Sequence, residues 1–167
     1  GDNDTQGVSF ISGVNATLGS ITIALSNFSG TNTNPVNVAF RSNAAGLPGS
    51  LLESFVLPPF TLGAFGVHNA PLVLTSSLNP AITMNAKYWL TVSTAPQDST
   101  AWNLNLTGDP NPTATSVDGG VVWNNLGLTP GAYQIDSPET STVVPEPATI
   151  LLVGNVLLTL AIRKWRV

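Results

Sequence analysis

Between residues 7 and 136 the side chains alternate in polarity with a period of two, a pattern that puts successive residues on opposite faces of a sheet and suits no helix. Ile21, Ile23 and Leu25 alternate with Thr22 and Ala24, and Val36, Val38 and Phe40 with Asn37, Ala39 and Arg41. Trp102, Leu104 and Leu106 stand against Asn103, Asn105 and Thr107. Further runs of strand type cover Val8–Ile11, Leu51–Leu57, Leu72–Thr75, Tyr88–Ser93, Val121–Trp123 and Tyr133–Ile135. Turn formers separate them: Gly46-Leu47-Pro48-Gly49, Pro58-Pro59, Asn79-Pro80, Pro96-Gln97-Asp98, Asp109-Pro110-Asn111-Pro112, Asp118-Gly119-Gly120 and Thr129-Pro130-Gly131. Short strands punctuated in this way predict an all-β, antiparallel sandwich of jelly-roll type over residues 1–135.

The chain has 167 residues, enough for one domain that buries its own core. Only 8% of them are charged, against roughly a quarter in an ordinary soluble protein, so Asn, Ser and Thr must supply the wet surface. Nine acidic residues against Arg41 and Lys87 leave residues 1–147 at a formal −7, while Arg163, Lys164 and Arg166 give the tail +3. A body of that sign, with no basic stripe, repels phosphate backbones and disfavours nucleic-acid binding. Cysteine is absent, which removes disulfides, thiolate metal sites and cysteine nucleophiles together. The first residue is Gly1 rather than Met, as removal of a secretory signal would leave it; the expectation of export rests on the other end.

Residues 136–147 are rich in proline, hydroxyl and acidic residues and read as a linker. An apolar run from Ala148 to Ile162 follows, interrupted by Thr149, Gly154, Asn155 and Thr159, and it ends in Arg163-Lys164-Trp165-Arg166. Pro147 stands where a helix accepts proline, at its first position. Fifteen helical residues span about 22 Å, short of the roughly 30 Å hydrocarbon core. Trp165 at the interface and snorkelling basic side chains would make up the difference, with the basic end cytoplasmic. Residues 148–167 are thus expected to form a short hydrophobic helix.

Val144-Pro145-Glu146-Pro147, the apolar run and the terminal basic cluster together resemble the PEP-CTERM sorting signal of Gram-negative bacteria. Asn155 departs from the Gly/Leu/Ala-rich helix usual there, a buried amide being costly but tolerated. The resemblance implies recognition of Val144, Pro145, Glu146 and Pro147 by an exosortase-type processing enzyme, and transient insertion in the inner membrane through the helix and the Arg163, Lys164, Arg166 cluster. It further implies a host that makes exopolysaccharide and a destination at the cell surface or beyond. The body is similar to the exported modules called choice-of-anchor domains, through Gly46-Leu47-Pro48-Gly49, Lys87-Tyr88-Trp89-Leu90, Ala101-Trp102-Asn103, and Asp118-Gly119-Gly120 followed by Trp123. That likeness implies a fold and a location, and no activity.

Catalysis requires a nucleophile with a base, a carboxylate pair or a metal. His68 is the only histidine and lacks partners for a metal in its neighbourhood. A glycosidase could use two of Glu53, Asp98, Asp109 and Asp118, but the aspartates sit among turn formers, where they serve the backbone. The chain is expected not to be an enzyme and to need no cofactor. Calcium is the one cation considered, with Asp2-Asn3-Asp4 or Asp109, Asn111 and Asp118 as oxygen donors in a spacing unlike an EF-hand loop. Among the aromatics, Trp102 shares its face with Leu104 and Leu106 and belongs to the core. Trp89 lies opposite Tyr88, Leu90 and Val92 and is the first candidate for an exposed platform under a sugar ring, with Trp123 second, although burial in the core is the leading expectation for these rings. Asn-x-Ser/Thr sequons stand at Asn3, Asn15, Asn27 and Asn105. Three functions compete: a structural or adhesive module of the surface or matrix, a carbohydrate-binding module using Trp89 or Trp123, and a self-assembling fibre subunit whose charge-poor strands pair edge to edge.

Overall fold

A computed structural model of the chain describes residues 4–28, 33–95, 100–106 and 111–138. The described residues are all-β, in antiparallel sheets. The strands are β1 (Thr5–Ile11), β2 (Ala16–Thr17), β3 (Ser20–Ile23), β4 (Leu25–Asn27), β5 (Val36–Ala44), β6 (Leu47–Leu57), β7 (Leu72–Thr75), β8 (Ala81–Ile82), β9 (Lys87–Ser93), β10 (Thr100–Trp102), β11 (Thr113–Ser116), β12 (Asn124–Leu126) and β13 (Tyr133–Asp136). The largest sheet runs β12-β11-β1-β9-β5-β6, a second runs β13-β3-β7, and β10-β4 and β2-β8 form two-stranded ladders. Only Ala24 separates β3 from β4, and its N–H donates to the Ala132 carbonyl at 3.2 Å, so the second layer continues from one ladder into the next.

The alternation decides which face each strand buries. In the large sheet Val8 lies opposite Leu90, Phe10 opposite Tyr88, Phe40 opposite Leu90 and Val38 opposite Val92. These side chains share one cluster with Ile21, Ile23, Leu25, Leu74, Ile82 and Trp102 from the other ladders, so the layers enclose a single core in a sandwich-like arrangement. Rings dominate its centre: Phe40 stacks on Tyr88 with centroids 5.2 Å apart, and Phe10 lies 5.7 Å from Tyr88 and 6.1 Å from Tyr133. The Tyr88 hydroxyl accepts the Thr83 N–H at 2.9 Å, which satisfies the one polar atom that ring brings inside.

Several local expectations are corrected. The hairpin turn between β5 and β6 is Ala45-Gly46, with φ of 51° and 91°, and Leu47-Pro48-Gly49 already belongs to β6. Two central residues at positive φ make the turn whose twist matches the flanking strands, and only Gly46 adopts that conformation freely. Val121–Trp123 is loop, and the strand there is Asn124–Leu126. The run from Trp102 to Leu106 is strand only to Trp102, after which a single bridge joins Leu104 to Gly131 and Leu106 stands 97% exposed. Thr113–Ser116, which is not among the expected strand runs, is a strand. The body also runs past residue 135: Asp136 belongs to β13, its carbonyl accepts the Gly19 N–H at 2.7 Å, and the backbone of Ser137 and Pro138 lies directly against Gly19.

The sorting motif, the apolar run and the basic cluster lie outside the described residues, and among the described residues no helix is long and apolar enough to cross a membrane.

Gly131 is the tightest backbone approach to the core that an added methyl would violate, since a Cβ there would fall 2.2 Å from Cδ1 and Cγ of Trp102. Gly131→Ala is therefore expected to cost about 1–3 kcal/mol or more through overpacking. Gly13→Ala, whose Cβ meets nothing within 4 Å, should stay within about 0.5 kcal/mol of the parent. Urea denaturation of the two variants checks both values.

Candidate functional site

Trp89 does project from the face opposite Tyr88, Leu90 and Val92, but that face is covered. Trp89 is 0% exposed, Ser9 and Ser116 are equally buried, and Thr5, Thr91 and Ala114 are nearly so. Trp123, half-buried, approaches the same side of the sheet above Gly7: a Cβ on Gly7 would lie 3.4 Å from Cζ3 of Trp123 and from Cε3 of Trp89, in ordinary contact with both rings. The Trp89 Nε1–H donates to Asn43 Oδ1 at 3.1 Å, and Arg41, its neighbour in register on β5, donates from Nη1 to the Gly49 carbonyl at 3.1 Å. The candidate platform at Trp89 is thus ruled out, and the leading expectation of burial holds: the indole is covered and its N–H is satisfied. Trp123 turns part of its ring onto Gly7 and Gly120, which leaves less of it for a ligand.

Asp118 holds the segment that carries Trp123. Its Oδ1 accepts the Ser116 hydroxyl at 2.6 Å and the N–H groups of Val121 at 3.0 Å and Val122 at 2.9 Å, and Ser116 Oγ accepts the Gly120 N–H at 2.8 Å. The Ser116 hydroxyl, followed by the backbone donors, lowers the Asp118 pKa below its ordinary value. Gly119 and Gly120, at φ of 76° and 93°, supply the left-handed turn the loop requires.

Glu53 is a second carboxylate with a structural occupation. It sits on the core-facing side of β6, 3% exposed. Its oxygens accept the Ser76 hydroxyl at 2.5 Å, the Ser77 N–H at 2.7 Å, the Ser77 hydroxyl at 3.2 Å and the Leu78 N–H at 3.1 Å. Burial alone would raise its pKa, but the bonds from Ser76, Ser77 and Leu78 outweigh that and hold it below the ordinary carboxylate value. Neither Glu53 nor Asp118 stands free as an acid, a base or a cation ligand.

The remaining candidates do not converge. His68 and Asp4 are exposed, while Asp2, Asn3, Asp98 and Asp109 lie outside the described residues. Among the described residues no three His, Cys, Asp or Glu side chains group to hold a metal. Asn27, one of the sequon positions, is 1% exposed, which removes it as a glycan acceptor in the folded chain.

Two features escaped the sequence reading. A cleft of about 430 Å³ opens between the layers, lined by Val8, Trp102, Leu104, Leu126 and Leu128 with Gln6, Thr113, Thr115 and Thr129. Its size falls in the range of small-ligand pockets, roughly 300–1,000 Å³. Two of its three threonines are engaged, Thr113 Oγ1 with the Leu126 carbonyl at 2.7 Å and Thr115 Oγ1 with the Thr5 carbonyl at 3.3 Å, so the walls are mainly apolar. The aromatic rings that do face solvent are phenylalanines: Phe28 and Phe65, 64% and 53% exposed, pack with centroids 5.2 Å apart. Alternation could not reveal that pair, because Phe65 stands on a loop and meets Phe28 only in three dimensions.

The carboxylate anchors give two expected outcomes. Glu53→Gln replaces an acceptor by a group with two donors facing other donors, so at neutral pH it should cost about 1–3 kcal/mol. Because the folded pKa lies below the unfolded value near 4.5, the parent's advantage is fully present above that pH and fades as pH falls toward the folded pKa; denaturation of both proteins across pH 7 to 3 measures the convergence. Asp118→Ala should accelerate amide exchange at Val121 and Val122 while Leu90 remains protected, as read by NMR. Comparison with protein-family models, with curated proteins and with solved structures finds no match to this chain.

Proposed function

We propose that the chain is an exported, non-catalytic structural or adhesive module of the cell surface or extracellular matrix, with a jelly-roll-like body delivered by its C-terminal tail. The observation that carries this reading is the order of parts at the end of the sequence: Val144-Pro145-Glu146-Pro147, then the apolar run from Ala148 to Ile162, then Arg163, Lys164 and Arg166. An exosortase-type enzyme is the proposed reader of the proline-glutamate motif, the inner membrane the transient host of the apolar run, and exopolysaccharide the proposed neighbour of the delivered body. The body is consistent with that role. Its two internally bonded carboxylates, Glu53 and Asp118, hold loops in place, and its surface polarity comes from amides and hydroxyls. With Trp89 buried, a carbohydrate-binding reading no longer has its main platform.

The test is fractionation of a Gram-negative host that processes such tails, with mass spectrometry of the mature C-terminus. The parent should appear at the surface or in the medium, shortened at its tail. A variant with Pro145, Glu146 and Pro147 all changed to Ala should remain membrane-bound at full length. Intact parent protein in the cytosol would overturn the proposal.

A further inference from the structure

The large sheet ends in two edges of unequal kind. At one end β12 is three residues long. At the other, β6 is the longest strand, eleven residues, and among the described residues it pairs only with β5. No backbone hydrogen bond reaches its outer edge from the described residues. Proteins normally protect such an edge with lysine, proline, bulges or an inward-pointing charge. β6 carries no Lys or Arg. Its single charge, Glu53, turns inward and is occupied by Ser76, Ser77 and Leu78.

Its first half is protected in another way, since the pairing with β5 shifts register between Phe40 and Arg41 and again between Arg41 and Asn43. Such bulges twist an edge away from partners. From Glu53 to Leu57 the pairing is regular, residue for residue, and Pro58-Pro59 ends it. Bulge and prolines thus bound a five-residue window of regular register whose outer edge has no partner among the described residues, with Val56 62% exposed and Phe55 partly so.

We infer that this window is a homodimer interface, in which β6 pairs antiparallel with β6 of a second copy about a two-fold axis at Phe55. The partner is a second copy because an antiparallel edge complements itself under a two-fold axis, and because like charges, which would face each other there, are missing from the window apart from the inward Glu53. Fixed at both ends, the window admits one full register: Phe55 opposite its own copy and Ser54 opposite Val56. That register joins the partly buried Phe55 rings and lays Val56 against Ser54. It also closes on itself. A fibre would need the opposite edge, and three-residue β12 cannot match five residues of β6, so the assembly stops at two.

The absence of native cysteine makes the test direct. Directly opposed residues in an antiparallel pair have Cα atoms about 4.5–5.5 Å apart, within disulfide reach, whereas positions one step off the axis exceed about 7 Å. The full chain carrying Phe55→Cys, mildly oxidised, should give a disulfide-linked dimer on a non-reducing gel at about ten times the yield of Ser54→Cys or Asn125→Cys. Phe55→Cys in a Val56→Lys background should cross-link no better than those controls; circular dichroism matching the parent establishes that both variants fold, Val56 being exposed. Light scattering on the parent should show twice the monomer mass and Val56→Lys the monomer mass. A parent that stays monomeric, a dimer indifferent to Val56→Lys, or cross-linking through Asn125→Cys in place of Phe55→Cys would each overturn the inference.

Discussion

The structure depends on β9 being covered on both faces. Tyr88, Leu90 and Val92 enter the core shared by the two layers, and Trp89 and Thr91 are buried on the opposite face, where the Trp123 ring approaches above Gly7. Flanked by β1 and β5, the strand has its backbone paired on both sides. A strand buried this completely fixes the register of its neighbours, because a slip of one residue would exchange Leu90 for Trp89 and drive an indole into space shaped for an aliphatic chain. Gly7, directly across from Thr91, lies where the rings of Trp89 and Trp123 both come close to the sheet.

Polar side chains do the fastening that ion pairs do in charge-rich proteins. Asn69 Nδ2 donates to the Ala64 carbonyl at 2.8 Å and to Ser26 Oγ at 3.3 Å, and Ser26 in turn bonds Asn103, so a loop, β4 and the chain after β10 are tied through neutral groups. Such bonds are insensitive to salt screening and leave carboxylates the few special tasks seen at Glu53 and Asp118.

Much of the fold was legible because polarity alternates along β3 and β5, while β1, β6, β7, β9 and β13 stand out as short strand-type runs between turn formers. The errors have physical causes. Thr113–Ser116 has small, polar side chains, and Ala114 is buried by packing from above, so nothing in its hydrophobicity marks a strand. Val121–Trp123 is apolar yet no strand: Val121 and Val122 are exposed, and Asp118 accepts their N–H groups and holds them out of the ladder. The turn at Ala45-Gly46 was masked by the stronger turn formers just beyond it. Trp89 was placed on the correct face, and its burial there was the leading expectation without an identified cover: period two says which side a residue takes, and it is silent about what covers that side. Of the candidate site, the tail motif was visible as sequence, whereas the apolar cleft and the Phe28–Phe65 pair arise only from folding.

The central claim is that the body is a scaffold covered on both sides of β9, with Trp89 sealed inside. Hydroxyl-radical footprinting read by mass spectrometry reports the solvent contact of each tryptophan separately. In the native chain Trp89 should stay unmodified under a dose that oxidises half-buried Trp123, and become reactive only on unfolding. Oxidation of native Trp89 as fast as Trp123 would contradict the account.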